Sequence, residues 1–193
     1  MAKVENTLEP KNTAEWRDWL EKHHDSGQLI WVICSKKNAA NPTMTHDEAV
    51  DVALCFGWID GTARSLDAAR YIQSFTKRKP KSVWSKISKA KVASLIKAGL
   101  MAQPGLEVIE IAKKNGYWSI LDDVEELIIP NDLEAEFAKR PAAKAYYESL
   151  SRSDKKRVLQ WLVLAQRAET RQGRIEEIIS ATGEGRKPKV LVS

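Results

Sequence analysis

Between residues 45 and 80 a helix start, a glycine stop and two short strand-like runs follow one another with almost no spacer, and few folds accommodate that order. "THDEAVDVALCF" opens on Thr45 with Glu48 three residues on. This is the spacing of a capping box, in which each side chain accepts from a backbone N–H that the helix leaves unpaired. Asp47 and Glu48 also favour the positive end of the helix dipole. Val50, Ala53 and Leu54 supply an apolar face, and Gly57 ends the helix. "WIDGTARSL" (58–66) then reads as a strand interrupted at Asp60-Gly61. A turn near Asp67 sends the chain back along residues 70–76, and Pro80 stops it. Strands joined this closely pair antiparallel.

The flanking segments extend the pattern. "NTAEWRDWLEKHH" predicts a first helix capped by Asn12 and Glu15, with Trp16, Trp19, Leu20 and His23 on one face. "QLIWVICSK" (28–36) is a continuous apolar run too short for a typical helix, so it reads as a buried strand. After Pro80, Ser85 or Ser88 can cap a helix that turns Val92, Leu95 and Ile96 inward and stops at Gly99. Pro104 suits the first turn of a further helix ending near Gly116. The acidic stretch 119–131 reads as a boundary. Beyond it come a helix pair broken at Pro141, a helix capped by Ser153 with Val158, Trp161, Leu162 and Ala165 on one face, and a last helix. That helix starts at Thr170, points Ile175, Ile178 and Ile179 inward and stops at Gly183. Residues 186–193 read as a mobile tail.

Composition narrows the class. The chain has 193 residues, 43% hydrophobic and 30% charged, enough for a real core. No apolar run approaches the ~20 residues of a membrane span, and the polar start "MAKVENTLEPKN" lacks the apolar stretch of a signal peptide. Cys34 and Cys55 are the only cysteines, which fits buried thiols in a reducing, cytoplasmic setting. Charge is unevenly spread: residues 1–67 sum to −4, residues 68–106 to +9 with no acid, residues 107–136 to −7 and residues 137–193 to +7. Two readings compete for the basic stretch. It either pairs with the neighbouring acidic stretch inside the fold or presents an anion-binding face.

No phosphate-binding loop, dinucleotide fingerprint, nucleophile elbow or Cys-x-x-Cys occurs. His23 and His24 point about 100° apart on a helix and make no metal pair. Cys34 has no base placed beside it by spacing, so it reads as a structural thiol. The sequence therefore predicts no catalytic set, no metal and no cofactor. The constellation left standing is Trp58, Asp60, Arg78, Lys79, Ser82, Trp84, Ser85 and Lys86. If the two strands pair, "GWIDG" and "KRKPKSVWS" emerge at the same end. Arg78 then offers a planar fork for a carboxylate or phosphate. Ser82 and Ser85 add hydroxyls near a helix start, where an anion is favoured. Trp58 or Trp84 can form a flat wall, and Asp60 can orient Arg78. The competing reading is structural: Asp60 pairs with Arg78, Ser85 only caps, and both rings are core.

"EWRDWLEKHH", "DEAVDVALCFGWIDG", "FTKRKPKSVWSKIS", "GLMAQPG", "AKKNGYW" and "WLVLAQRAETRQGRIEEI" together resemble the YdeI/OmpD-associated (OmdA-type) bacteriocin-protection family, over about residues 14–183. Lys77 stands where that family usually has a proline, and Ser88 where an Asn is usual. The resemblance implies a cytoplasmic bacterial protein linked to tolerance of bacteriocins, with an α+β body and a helical tail. It carries no enzymatic reaction, and it implies that Trp58, Asp60, Arg78, Trp84 and Ser85 belong to a shared site.

The expectation is a helix-rich α+β protein: a small antiparallel sheet of about three strands in a body of residues 1–120, then a helical region at 130–185. Its expected role is non-enzymatic stress or bacteriocin tolerance, through a small anionic or aromatic ligand, or a protein partner segment, bound at the hairpin–helix junction. Two alternatives stay open. One is a nucleic-acid binder using residues 77–91 with Arg171 and Arg174, whose affinity would fall steeply with salt. The other is an enzyme using Asp60 with a residue of the basic loop, which needs room between Asp60 and Arg78. No membrane insertion is expected.

Overall fold

The computed structural model describes residues 6–40 and 42–192. The first five residues of the polar N-terminal segment, and Ser193 of the expected mobile tail, lie outside the described residues. Contacts group the chain into two compact units, one ending at Trp118 and the other beginning at Ser119.

The first unit is α+β. Its elements run β1 (Thr7–Leu8), α1 (Thr13–His23), β2 (Ile30–Ser35), α2 (His46–Cys55), β3 (Trp58–Ser65), β4 (Arg70–Lys77), α3 (Lys86–Lys97) and α4 (Gln103–Lys114). The sheet order is β1-β2-β4-β3. β4 is antiparallel to both β2 and β3, as the short connection requires. β2 and β3 therefore run the same way with β4 between them, and α2 is the crossover, a split βαβ unit. A fourth strand joins the expected three: β1 pairs parallel with β2, Thr7 opposite Trp31. Two residues carry no periodicity, so nothing in the sequence announces it.

The caps of α1 and α2 form where the sequence places them. Thr45 and Glu48 close the full capping box of α2, and Asn12 accepts from the Glu15 N–H. Glu15 reaches back to the Lys11 N–H at 2.9 Å, one residue before the cap. The break at Asp60-Gly61 is a bulge in β3. Two β4 side chains close it: Ser74 accepts the Thr62 N–H and Gln73 donates to the Gly61 carbonyl, each at 2.8 Å.

The core of this unit centres on Trp16, Leu20, Val32, Phe75, Trp58 and Trp84, all essentially without solvent contact. Trp16 donates its indole N–H to the Ala49 carbonyl at 3.1 Å, and Trp58 donates to His24 at 3.1 Å, so each ring is buried with its polar atom satisfied. Two glycines set the packing of α4. Gly57 has φ +72, and a Cβ there would stand 2.7 Å from Val108. A Cβ on Gly105 would stand 2.2 Å from the Cys55 carbonyl oxygen, so α4 reaches the end of α2 only because that side chain is missing. One inward residue was misassigned: Val92 and Leu95 are buried, but Ile96 is half exposed. Ile96 lies about 100° round the helix from Leu95, past the edge of the buried stripe.

The second unit is helical: α5 (Asp122–Glu125), α6 (Asn131–Lys139), α7 (Pro141–Ser149), α8 (Arg152–Val163) and α9 (Ala168–Gly183). Pro141 separates α6 from α7 and sits at the first position of α7, where its missing N–H costs nothing. Leu133, Phe137, Tyr147, Val158, Leu162 and Ile178 form its centre. Ser151, not Ser153, caps α8 by accepting the Asp154 N–H at 3.1 Å. α9 starts at Ala168, two residues before Thr170, and Gly183 is still helical; the positive φ falls at Gly185. Residues 189–191 form a short 3-10 turn. Lys187 pairs with Asp154, the Lys189 N–H donates to Glu177, and Arg157 donates to the Val190 carbonyl. Among the described residues no helix is long and apolar enough to cross a membrane.

Candidate functional site

β4 ends at Lys77, three residues before Pro80, and the chain then crosses to α3 through residues 78–85. This crossing is tightly held. The Arg78 N–H donates to the Gly57 carbonyl at 2.9 Å. Ser82 and Lys79 close a turn on each other, with the Lys79 N–H on the Ser82 hydroxyl at 3.0 Å and the Ser82 N–H on the Lys79 carbonyl at 2.9 Å. Asn115, at the end of α4, donates to the Pro80 carbonyl at 2.7 Å. Ser85 caps α3 by accepting the Ser88 N–H, and the two hydroxyls lie 3.1 Å apart, so Ser88 adds to the cap. Lys86 is the first, exposed residue of α3.

Arg78 is the unusual group. It is 6% exposed, and its guanidinium stacks 3.8 Å over the Trp84 ring. Nη1 donates to the Val83 carbonyl at 3.0 Å, while the buried Nε has no partner. No carboxylate comes within ion-pair distance of it among the described residues. Burial pushes its pKa down to about 10, opposed by the more distant charge of Asp60, and it stays cationic at neutral pH. Asp60 faces elsewhere: its Oδ2 lies 3.4 Å from Nε2 of His46. The expected Asp60–Arg78 pair is absent.

The eight expected residues therefore divide. Arg78 and Lys79 line a common cleft. Trp58 and Trp84 are core, at 0% and 1% exposure, and the flat partner of Trp84 is Arg78 itself. The Ser82 and Ser85 hydroxyls accept backbone N–H groups of their own turn and helix. Asp60 and Lys86 do not line the cleft.

The cleft holds about 400 Å³ and is lined by Gly27, Lys77, Arg78, Lys79, Pro80, Val108 and Ile111. It combines a cationic floor with an apolar wall. An adjoining hollow of about 370 Å³ shares Lys77, Val108 and Ile111 and adds His24, Asp25, Gln103, Pro104 and Glu107. Lys77 pairs with Asp25, which in turn lies 3.6 Å from His24. The α4 residues and Gly27 went unnoticed in sequence because they are distant from the basic loop. Ile111 stands out among them as a large apolar side chain 45% exposed on a helix that buries Ile109 and Ala112.

A larger depression, about 490 Å³, lies beside Ser35, Lys36, Lys37, Thr45, His46 and Tyr71. The Cys34 thiol next to it is fully buried, and burial pushes its pKa up to about 11, which makes it a poor nucleophile. Cys55 is likewise buried and free. Among the described residues no three His, Cys, Asp or Glu side chains converge to hold a metal ion.

The basic stretch is partly neutralised from within its own unit. Lys91 pairs with Asp51 and Asp47, Lys77 with Asp25, and Arg70 with Glu9 and Asp67. These carboxylates all come from residues 1–67. Within the second unit Asp132 pairs with Arg171, Glu134 with Lys144 and Glu125 with Lys156.

Comparison with known proteins divides the chain similarly. No curated protein and no solved structure matches it. Residues 8–108 match a family described as a domain of unknown function (DUF8412), so "GWIDG", "KRKPKSVWS" and most of the cleft fall within that match. Residues 126–185, with the "ETRQGRI" segment of α9, match the family described as Bacteriocin-protection, YdeI or OmpD-Associated. The chain belongs to the DUF8412 family by more than half its length, and its C-terminal helices are similar to the OmdA family over residues 126–185.

Proposed function

We propose that this protein contributes to bacteriocin tolerance without catalysis, by binding a small anionic ligand with an apolar body in the cleft between Lys77–Pro80 and α4. The observation that carries this reading is Arg78. A buried cation with no carboxylate partner and an unpaired Nε is costly to keep, and replacing such a group by an apolar residue is often neutral or stabilising. A ligand anion reaching Arg78 supplies the missing partner. Lys79 adds a second positive charge at the mouth, and Pro80, Val108 and Ile111 supply apolar contact, the usual make-up of a small-molecule site. The two buried thiols suit a reducing compartment, which is the basis for placing the activity in the cytoplasm.

A melting screen tests this. Carboxylates, sugar phosphates, nucleotides and short oligonucleotides are added at low and high salt to the wild type, Arg78→Met and Ile111→Asp. The expected result is a rise in Tm with one class of small anion that survives high salt and is lost in both variants. A shift produced only by oligonucleotides and abolished by salt would replace the pocket with a nucleic-acid surface. In that alternative Lys77 and Lys91 are already paired with carboxylates of their own unit. Arg171 is held by Asp132, and Arg174 lies over the Trp161 ring.

A further inference from the structure

The two adjoining hollows beside α4 differ in charge, and the difference specifies a ligand more closely. We infer that the cleft takes a small zwitterion, with a carboxylate at one end of an apolar chain and an ammonium at the other; this rests on the binding site proposed above. At the first end stand Arg78, with its unpartnered Nε, and Lys79. At the other end stands Glu107. Gln103 donates to its Oε1 at 3.1 Å, and no cation lies within ion-pair distance of it among the described residues. Asp25, in the same hollow, is already engaged by Lys77 and His24. Lys77 lines both hollows with its charge answered, so it divides them without adding net charge to either.

Val108 and Ile111 line both hollows and form the bridge. Glu107 and Ile111 are four residues apart on α4, hence on one face and about 6 Å apart along the axis. From the Glu107 end an apolar chain running along α4 passes Val108 and the exposed Ile111, which line both hollows, toward Arg78. A phosphate dianion can use both Arg78 and Lys79, but it leaves Glu107 unanswered and is repelled by it. A plain fatty carboxylate satisfies Arg78 but leaves the Glu107 carboxylate facing an apolar tail. Only a molecule with both charges, separated by apolar carbon, answers both ends.

Three matched probes test this: hexanoate, hexylamine and 6-aminohexanoate, titrated at pH 7 into the full chain into the ~10 mM range, reading backbone amide shifts of Gly27, Lys79 and Val108. The zwitterion is expected to bind about tenfold tighter than hexanoate, and hexylamine not at all. Glu107→Gln should bring 6-aminohexanoate down to the level of hexanoate while leaving hexanoate unchanged or improved. Arg78→Met should abolish both. If hexanoate binds as well as 6-aminohexanoate and Glu107→Gln changes neither, the zwitterion is wrong and the anion site stands. If no probe moves those amides, and small anions leave the melting temperature of wild type unaltered, both the zwitterion and the site fall together.

Discussion

Arg78 shows how far one residue's chemistry can be read before its surroundings are known. Its value as a planar donor is evident from the side chain alone. Its burial, its stacking on Trp84 and the absence of Asp60 from its reach are not, because they depend on where β3, β4 and α3 meet. The stacked ring and the Val83 carbonyl offset only part of the desolvation of a cation. Arg78→Met is accordingly expected to melt no lower than wild type, and higher if the apolar side chain fills the space, while losing all response to anions; differential scanning calorimetry with and without ligand reads both. A large fall in Tm would show that the guanidinium is a structural keystone. Trp58, by contrast, is ordinary core. Its truncation to Ala should cost about 3–5 kcal/mol, seen as a lower urea midpoint.

Elements were legible where their ends are chemically marked. The capping box at Thr45, the stops at Gly57 and Gly99 and the break at Pro141 all appear where the sequence puts them, because caps and stops are satisfied within a few residues. Thr45→Ala should therefore cost about 1 kcal/mol, measurable by urea unfolding. Where two hydroxyls compete, as at Ser151 and Ser153, spacing alone does not choose between them. The relation of α2 to α4 was not legible at all. Gly105 looks like a residue merely following a first-turn proline, yet it is where α4 meets the Cys55 carbonyl. Gly105→Ala should destabilise by about 3 kcal/mol, since the clash is with backbone that cannot swing aside. It should also disturb the cleft, whose wall is the same helix, so ligand response should fall with it.

Across the whole molecule, charge follows the units more than the sequence blocks. Residues up to Trp118 carry the entire net charge of +5, and residues from Ser119 on sum to zero. Several carboxylates sit below their usual range: Asp25 through the hydrogen bond from Lys77, Asp67 from Arg70, Asp132 from Arg171 and Asp154 from Lys187. A folded pKa below the unfolded one adds stability above the unfolded value, near 4, and that stability is lost as pH falls through the folded value. The urea midpoint should thus be flat from pH 7 to 5 and drop below pH 4, with the drop reduced in high salt; a midpoint that rises on acidification would contradict these pairings. By itself the sequence determined the class, the order of the longer elements, the hairpin with its interruption and the helical C-terminal region, because periodicity, caps and turn residues act over a few positions. Only the tertiary structure decided that Trp58 and Trp84 are core, that Asp60 turns to His46, and that Gly27, Glu107, Val108 and Ile111 share a cleft with Arg78. Those outcomes join residues dozens of positions apart, and burial and charge partners exist only once such residues have been brought together.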